Sequence, residues 1–526
     1  MSSINLTQLG WSTPDGRTVL SGLDLGFGRE RVGLVGCNGA GKTTLLHLIA
    51  GDLQPLTGSV SVNGTLGLLK QAVQVTARQT VGDLFGAGEA LAVLRRAEAG
   101  EAGIDELATA DWTLEDRIAA ALGRVGLAAA SDTPLAQLSG GQRTRASLAA
   151  MIFIEPDFLL LDEPTNNLDR AGRKALIELL ASWRSGAVIV SHDRELLEHM
   201  DAIVELTSLG AMRYGGNWSR YREQKAIEME AARNDLVHAE KKAAEVDRST
   251  RLAAERQDRR SAAGSRKAKR GDLPRILLGK RKNAAEASRG NSQNIVQRQR
   301  LQAQAAAKAA RARLEIRKTM SITLPSTGLA TGRRVLNLED VTAGYDIGRP
   351  LMRALSFSIV GPERVAFVGP NGSGKTTLLK LISGQMKPFH GTVSVDVEFA
   401  MLDQSVSILD PAASILDNFM RLNPASNENA CRSTLAAFLF RADAALQPVG
   451  TLSGGQMLRA GLGCVLGGPQ PPQMLVLDEP TNHLDIDSVD AIEAGLTSYD
   501  GALLVVSHDE TFLASIGTER KLYLAA

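Results

Sequence analysis

Cysteine is scarce in this 526-residue chain. Cys37, Cys431 and Cys464 are far apart and odd in number. That excludes a disulfide framework, offers no metal-ligand spacing, and fits reduced thiols in a cytoplasmic protein. No run of about 18 apolar residues occurs, so no bilayer span is expected. The start, Met1-Ser2-Ser3-Ile4-Asn5, has neither a basic head nor an apolar stretch, so no secretion signal is expected. Aromatics are only 4% of the chain and are missing altogether between Arg222 and Met320. Base stacking on aromatic rings is therefore excluded in that stretch. Net charge is also small, at +1, but the average hides a strong division. Residues 256–318 carry 19 Lys and Arg against 4 Asp and Glu, a net of +15, so the rest of the chain totals −14. A cationic element lies between two acidic modules.

What is present is a repeat. Gly36-Cys37-Asn38-Gly39-Ala40-Gly41-Lys42-Thr43 returns 333 residues later as Gly369-Pro370-Asn371-Gly372-Ser373-Gly374-Lys375-Thr376. From Gly36 to Gln71 and from Gly369 to Gln404 are both 35 residues; Asp162 to His192 and Asp478 to His508 are both 30. One interval differs: 67 residues separate Gln71 from Leu138 but 48 separate Gln404 from Leu452. The surplus falls within about 86–114 and reads as two short helices around Gly100–Gly103. Its charge of −4 argues against phosphate binding and leaves a basic protein partner or a solvated loop.

In each half an apolar strand feeds the glycine loop (Arg31–Val35; Arg364–Val368) and a helix follows (Thr43–Ile49; Thr376–Ile382). The continuous apolar runs Phe158–Leu161, Ala187–Val190, Met474–Leu477 and Ala502–Val506 fit strands buried on both faces of a largely parallel sheet. The predicted fold class is thus α/β, with two nucleotide-binding domains of the phosphate-loop type, 1–216 and 326–526, joined by a linker over 217–325. Residues 220–263 lack Gly and Pro and predict one helix of about 65 Å at 1.5 Å per residue. Gly264 and Gly271–Pro274 are expected to interrupt it. Residues 291–318 predict a returning helix of about 40 Å, giving a long basic α-helical hairpin with its tip near 271–290. A disordered charged linker is the other reading of that composition.

The chemistry follows from the residue types. In a Gly-x4-Gly-Lys-Thr loop the glycines let backbone N–H groups face phosphate oxygens. Gly36, Asn38, Gly39, Gly41 and Thr44 would cradle a nucleotide with Lys42, and Gly369, Asn371, Gly372, Gly374 and Thr377 with Lys375. The hydroxyls of Thr43 and Thr376 would meet magnesium, and the helix N-terminus favours the anion. Asp162 and Asp478 end apolar strands, where a carboxylate can hold magnesium. Glu163 and Glu479, next in line, are placed to polarise the attacking water.

Leu138-Ser139-Gly140-Gly141-Gln142 and Leu452-Ser453-Gly454-Gly455-Gln456 resemble the signature of ATP-binding cassette proteins. Gln71 and Gln404 resemble the Q-loop glutamine, a catalytic position and magnesium ligand. His192 and His508 resemble the switch histidine. The runs Asp162–Asp169 and Asp478–Asp485 resemble the extended Walker B motif and D-loop. Trp11 and Tyr345 fit the aromatic that stacks on adenine, although a core aromatic fits these positions too. The resemblance implies a monomer whose cassettes pair head to tail around two ATP molecules with Mg2+. One site would join the first set (Lys42, Thr43, Gln71, Asp162, Glu163, His192) to Ser453–Gln456; the other would join Lys375, Thr376, Gln404, Asp478, Glu479 and His508 to Ser139–Gln142. Both would hydrolyse ATP. Two departures stand out: Cys37 replaces the usual proline, and Asn167 stands where His483 stands in the second half.

Tandem cassettes, no membrane domain and a basic helical linker resemble the ABC-F proteins, with the match densest at Gly216–Lys225. That resemblance implies a cytoplasmic ATPase that binds the ribosome when closed on ATP. Its linker would reach the P-site tRNA and the peptidyl-transferase region, and hydrolysis would release it. Translation control and antibiotic resistance by ribosome protection both fit. Charge and shape, rather than stacking, would then read the rRNA and tRNA. The short 86–114 insert sits where the family carries its arm. The chain ends 18 residues after His508, so no C-terminal coiled extension is expected. The alternative is an ATPase subunit energising a separate membrane transporter, which leaves the basic linker without a task.

Overall fold

The computed structural model describes residues 2–69, 79–166, 168–207, 210–268, 324–482 and 484–524, with six isolated positions between 298 and 308. Residues 2–221 and 324–524 form one compact unit containing both cassettes, and the segment from Arg222 to Thr319 forms a second.

Each cassette is built on a parallel sheet. In the first the strand order is Leu66–Leu69, Phe158–Asp162, Gly186–Val190, Arg31–Val35, Ala202–Thr207, with Gly210–Gly215 added antiparallel at the edge. In the second it is Phe399–Leu402, Met474–Asp478, Ala502–Val506, Arg364–Val368, Arg520–Tyr523, all parallel. The central strands are buried almost throughout, as their unbroken apolar sequences require. A three-stranded antiparallel sheet covers one face of each (Thr18–Phe27, Ser3–Ser12, Thr57–Asn63; Met352–Val360, Arg334–Ala343, His390–Val395). Its core with the helix after the glycine loop includes Leu9, Leu34, Leu45 and Val188 in the first cassette. Helices cover the other face. There the second cassette's Ile486 joins the apolar cluster of the first, so the two halves share core.

The insert forms the helices Gly88–Glu98 and Ile104–Thr109, the two short helices the sequence predicts. Arg96 pairs with Glu106 across them, so their acidity is partly neutralised within the insert.

Trp218 and Tyr221 are buried beside Tyr214 at the end of the first cassette. From Trp218 one helix continues for 51 residues to Ala268, about 75 Å. It passes straight through Gly264, where an interruption is expected from the sequence. One glycine costs only about 1 kcal/mol relative to alanine inside a helix, too little to end a run rich in Ala, Arg and Glu. Along its first half the partly buried positions include Lys225, Met229, Ala232, Leu236 and Ala239, with Glu240 beside the last. Spacings of four, three, four and three put these five on one face of the helix. The tip, 271–290, and nearly all of the expected returning helix lie outside the described residues.

Candidate active site

The carboxyl ends of the parallel strands converge on one cavity per cassette. In the second cassette the helix Lys375–Ile382 begins at Gly374, whose φ of 92° is a left-handed value that suits glycine. Gly41 does the same in the first, at φ 96°. These turns fold the lysines back over their loops. Lys42 Nζ donates to the carbonyls of Gly36 (2.7 Å) and Cys37 (3.2 Å); Lys375 Nζ donates to Gly369 (2.7 Å) and Pro370 (3.3 Å).

At the next strand end Asp162 is buried, and Glu163 and Glu479 adopt φ of 48° and 47°. Left-handed backbone at a glutamate costs about 1–3 kcal/mol and is held only where the surroundings enforce it. Here the Glu163 and Glu479 N–H groups donate across the sheet to Val190 and Val506, which fixes the turn. Each glutamate thereby faces its histidine: His192 Nε2 lies 3.3 Å from Glu163 Oε1, and His508 Nε2 lies 3.5 Å from Glu479 Oε1. Burial pushes Glu163 up to about 8 and Glu479 up to about 7, against the pull of the nearby lysines. Burial likewise pulls His192 down to about 3 and His508 to about 4. Lys375 Nζ lies 2.9 Å from His508 Nε2, which suits a neutral imidazole accepting from an ammonium.

The second cavity, about 480 Å³, has walls from both cassettes. Ser139, Gly140 and Gly141 of the first face Asn371, Gly372, Gly374, Lys375, Thr376, Thr377, Gln404, Asp478, Glu479 and His508 of the second. Tyr345 lines the same cavity and is mostly exposed, so the core reading of this aromatic is wrong. It is steadied by Lys380, whose Nζ donates to the phenol at 3.2 Å.

The first cavity, about 530 Å³, is lined by Trp11, Asn38, Gly39, Gly41, Lys42, Thr43, Thr44, Asp162, Glu163 and His192, together with Thr13, Arg17 and Val19. Ser453–Gln456 are not among the residues that line it. What crosses to the first loop is the D-loop: Asp485 Oδ2 accepts from the Asn38 N–H (2.9 Å), and Cys37 Sγ lies 3.4 Å from Asp487 Oδ2. These carboxylates meet the first glycine loop from the second cassette. Gln142 and Gln456 are tied to the start of their own helices. Each side chain accepts from the N–H of its own Ser139 or Ser453 in a capping box that fixes the start of the signature helix. Gln71, Asn167 and His483 lie outside the described residues.

Away from the cavities the cassettes meet through ion pairs of one polarity. Arg194 of the first bonds Glu493 (2.8 Å) and Asp490 (2.9 Å) of the second, and Arg170 of the first reaches Glu510 of the second at 3.2 Å. The first cassette supplies the cations on both sides and the second the anions. Reading the halves for what they share misses these residues, because each occurs in one copy only. The charge difference between the helices starting at Arg170 and Ile486 was the available signal.

The donor set fits a magnesium ion. Asp162 accepts from the Thr43 hydroxyl, and its buried Oδ1 has no hydrogen-bond partner among the described residues. A carboxylate beside a hydroxyl is hard-oxygen ligation. Among the described residues no cluster of three His, Cys, Asp or Glu side chains exists to make an all-protein cage.

Comparison with known proteins agrees with this architecture. The family model described as ABC transporter matches residues 22–166 and 352–482. The chain is 31% identical to the putative ATP-binding protein YdiF of Bacillus subtilis over 95% of its own length and 77% of that protein. It is 33% identical to the tylosin resistance ATP-binding protein TlrC of Streptomyces fradiae (94% and 92%). With the energy-dependent translational throttle protein EttA of Mycobacterium tuberculosis it shares 32% (92% and 84%). Among solved structures, an RNase-L inhibitor superposes with TM-score 0.58 at 18% identity over 98% of this chain and 87% of that one, a likeness of fold. No helix among the described residues is long and apolar enough to cross a membrane. With two matched cassettes, paired cavities at their strand ends and full-length relatives of this kind, the chain belongs to the ABC transporter family, as an ABC-F protein and an ATPase.

Proposed function

We propose that this ATPase acts on the ribosome: in its ATP-closed state it carries the linker towards the P-site tRNA and peptidyl-transferase region, and hydrolysis releases it. The observation that carries the reading is that relatives named for translational throttling and tylosin resistance match over 92–94% of the chain, linker included. A cationic element of +15 suits cavities walled with phosphate. The helix Trp218–Ala268 and its half-buried stripe support a hairpin long enough to reach into such a cavity. The protein would work as a cytoplasmic monomer, pairing its own cassettes.

In the proposed mechanism Lys42 and Lys375 leave their loop carbonyls for the β- and γ-phosphates, with the amides of Gly39, Gly41, Gly372 and Gly374 beneath. Trp11 and Tyr345 pack on adenine. Asp162 with Thr43 and Gln71, and Asp478 with Thr376 and Gln404, would hold magnesium, which would supply neutralisation of phosphate charge. Glu163 and Glu479 orient water for in-line attack, each held by its histidine. The Ser139–Gly141 amides at a helix start meet the γ-phosphate of the second cavity, so ATP ties the cassettes and its loss loosens them. At the first cavity the Ser453–Gln456 amides would meet the γ-phosphate in the same way.

The test is co-sedimentation of Glu163→Gln/Glu479→Gln protein with ribosomes. Trapping by ATP, weakening by about 10³–10⁵ between 50 and 200 mM salt for about 6–10 phosphate contacts, is expected. Equal sedimentation with and without ATP, or copurification with an integral membrane protein, overturns the reading.

A further inference from the structure

The two D-loops are followed by helices that differ in charge where they face the opposite cavity. In the first cassette the order is Asp169, Arg170, Ala171, Gly172, Arg173; in the second it is Asp485, Ile486, Asp487, Ser488, Val489. Arg173 thus corresponds to Val489, and Asp487 to Ala171. The first cavity's loop meets the extra carboxylate of Asp487 from across the seam. The second cavity is lined by Arg173 beside Asn371, Gly372, Lys375, Glu479 and His508. From one cavity to the other, the charge arriving from the opposite cassette changes by two.

Arg173 is built into that wall. Its side chain is only 13% exposed, and Nη1 lies 3.2 Å from Asp193 Oδ2. Its Nε is buried and has no hydrogen-bond acceptor among the described residues. An unmet buried guanidinium N–H is costly, and an anionic ligand in the cavity would supply an acceptor. The guanidinium is also close enough to Glu479 and His508 to pull both towards lower pKa. That places it near Glu479 and His508, where hydrolysis is proposed.

We propose that Arg173 is a nucleotide-binding residue of the second cavity, supplied by the first cassette, which meets the terminal phosphate of ATP and makes this cavity the tighter of the two. The proposal rests on reading the cavities as ATP sites and adds a contact to one of them. Val489 gives the first cavity no counterpart, and Asp487 opposes a polyphosphate there. The planar guanidinium can bind two phosphate oxygens at once, which a lysine cannot.

The test measures binding of fluorescent mant-ATP and mant-ADP to the full chain in two backgrounds. Lys42→Ala leaves the second cavity and Lys375→Ala leaves the first. Arg173→Gln is expected to weaken mant-ATP binding by about tenfold or more in the Lys42→Ala background, in line with losing a hydrogen bond to a charged group. In the Lys375→Ala background it should change binding by less than about twofold, and Arg173→Lys should recover only part of the loss. Mant-ADP, lacking the terminal phosphate, should be weakened far less than mant-ATP. Equal losses in both backgrounds, or equal losses for ATP and ADP, would make Arg173 a structural residue and overturn the proposal, as would full binding by Arg173→Gln. Should Arg173→Gln fail to fold, Arg173→Lys alone decides by the ATP-to-ADP ratio. The cavity reading is tested separately: the Lys42→Ala/Lys375→Ala double variant should lose both nucleotides, whatever Arg173 does.

Discussion

The two cavities share their lysine, aspartate, glutamate and histidine, yet they are closed differently. The second has signature residues of the first cassette in its wall, and its lysine bonds its histidine. The first has no signature residue in its wall and is met instead by Asp485 and Asp487. The lesson is that repeated chemistry can be set in unequal surroundings by the few residues that were not repeated. Such residues lie on the D-loop helices and beside the histidines, where the first cassette is basic and the second acidic.

The largest effect expected to sharpen the comparison comes from the water-positioning glutamates. Steady-state ATP turnover should fall by at least about 10²-fold in Glu163→Gln/Glu479→Gln, as expected on removing a positioned base. The single variants should leave unequal residual rates. Identical residual rates would break the claim that the cavities differ.

Next comes the seam. Arg194 is largely buried between Glu493, itself mostly buried, and the half-exposed Asp490, so Arg194→Ala strands one mostly buried carboxylate and should cost about 3 kcal/mol, read as a fall in the denaturation midpoint. Arg170 is mostly exposed opposite Glu510, and Arg170→Ala should cost no more than about 1 kcal/mol. A reversed order would mean that Arg194 does not bridge the cassettes in solution.

Much of this was legible in the sequence, because whatever occurs twice at equal spacing stands out. Lys42 and Lys375, Glu163 and Glu479, and His192 and His508 are brought together in pairs of matching geometry, and the insert helices fall where the 19-residue surplus lies. The same comparison hides Arg173, Arg194 and Asp487, whose partners in the other half are Val489, Glu510 and Ala171. Gly264 was overread because a single glycine was weighed without the helix-forming run on either side.

A smaller effect concerns Cys37. Cys37 reaches solvent, yet partial desolvation of its sulfur and the Asp487 carboxylate beside it raise the thiol above its ordinary value, so little thiolate exists at pH 8. Alkylation by iodoacetamide at pH 8 should be slow and should quicken several-fold in Asp487→Asn. No change would separate Cys37 from the acidic D-loop.

The last is a pH effect. His192 and His508 are pulled from 6.5 to about 3 and about 4, so the unfolded chain takes up protons that the folded one refuses. Their share of stability is present above pH 6.5 and is lost as the pH falls towards those values. Relative to wild type, nucleotide-free His192→Gln/His508→Gln should gain thermal stability between pH 6.5 and 5, by up to about 2 kcal/mol per histidine. An equal difference at both pH values would contradict neutral buried imidazoles.

The most direct measurement is ribosome retention through a sucrose cushion of wild type, Glu163→Gln and Glu479→Gln, each with and without ATP. The account predicts that wild type passes largely unbound, both variants are held only with ATP, and the two are held to different extents. Retention that ignores nucleotide, or no retention of either variant, would contradict ATP-driven attachment to the ribosome.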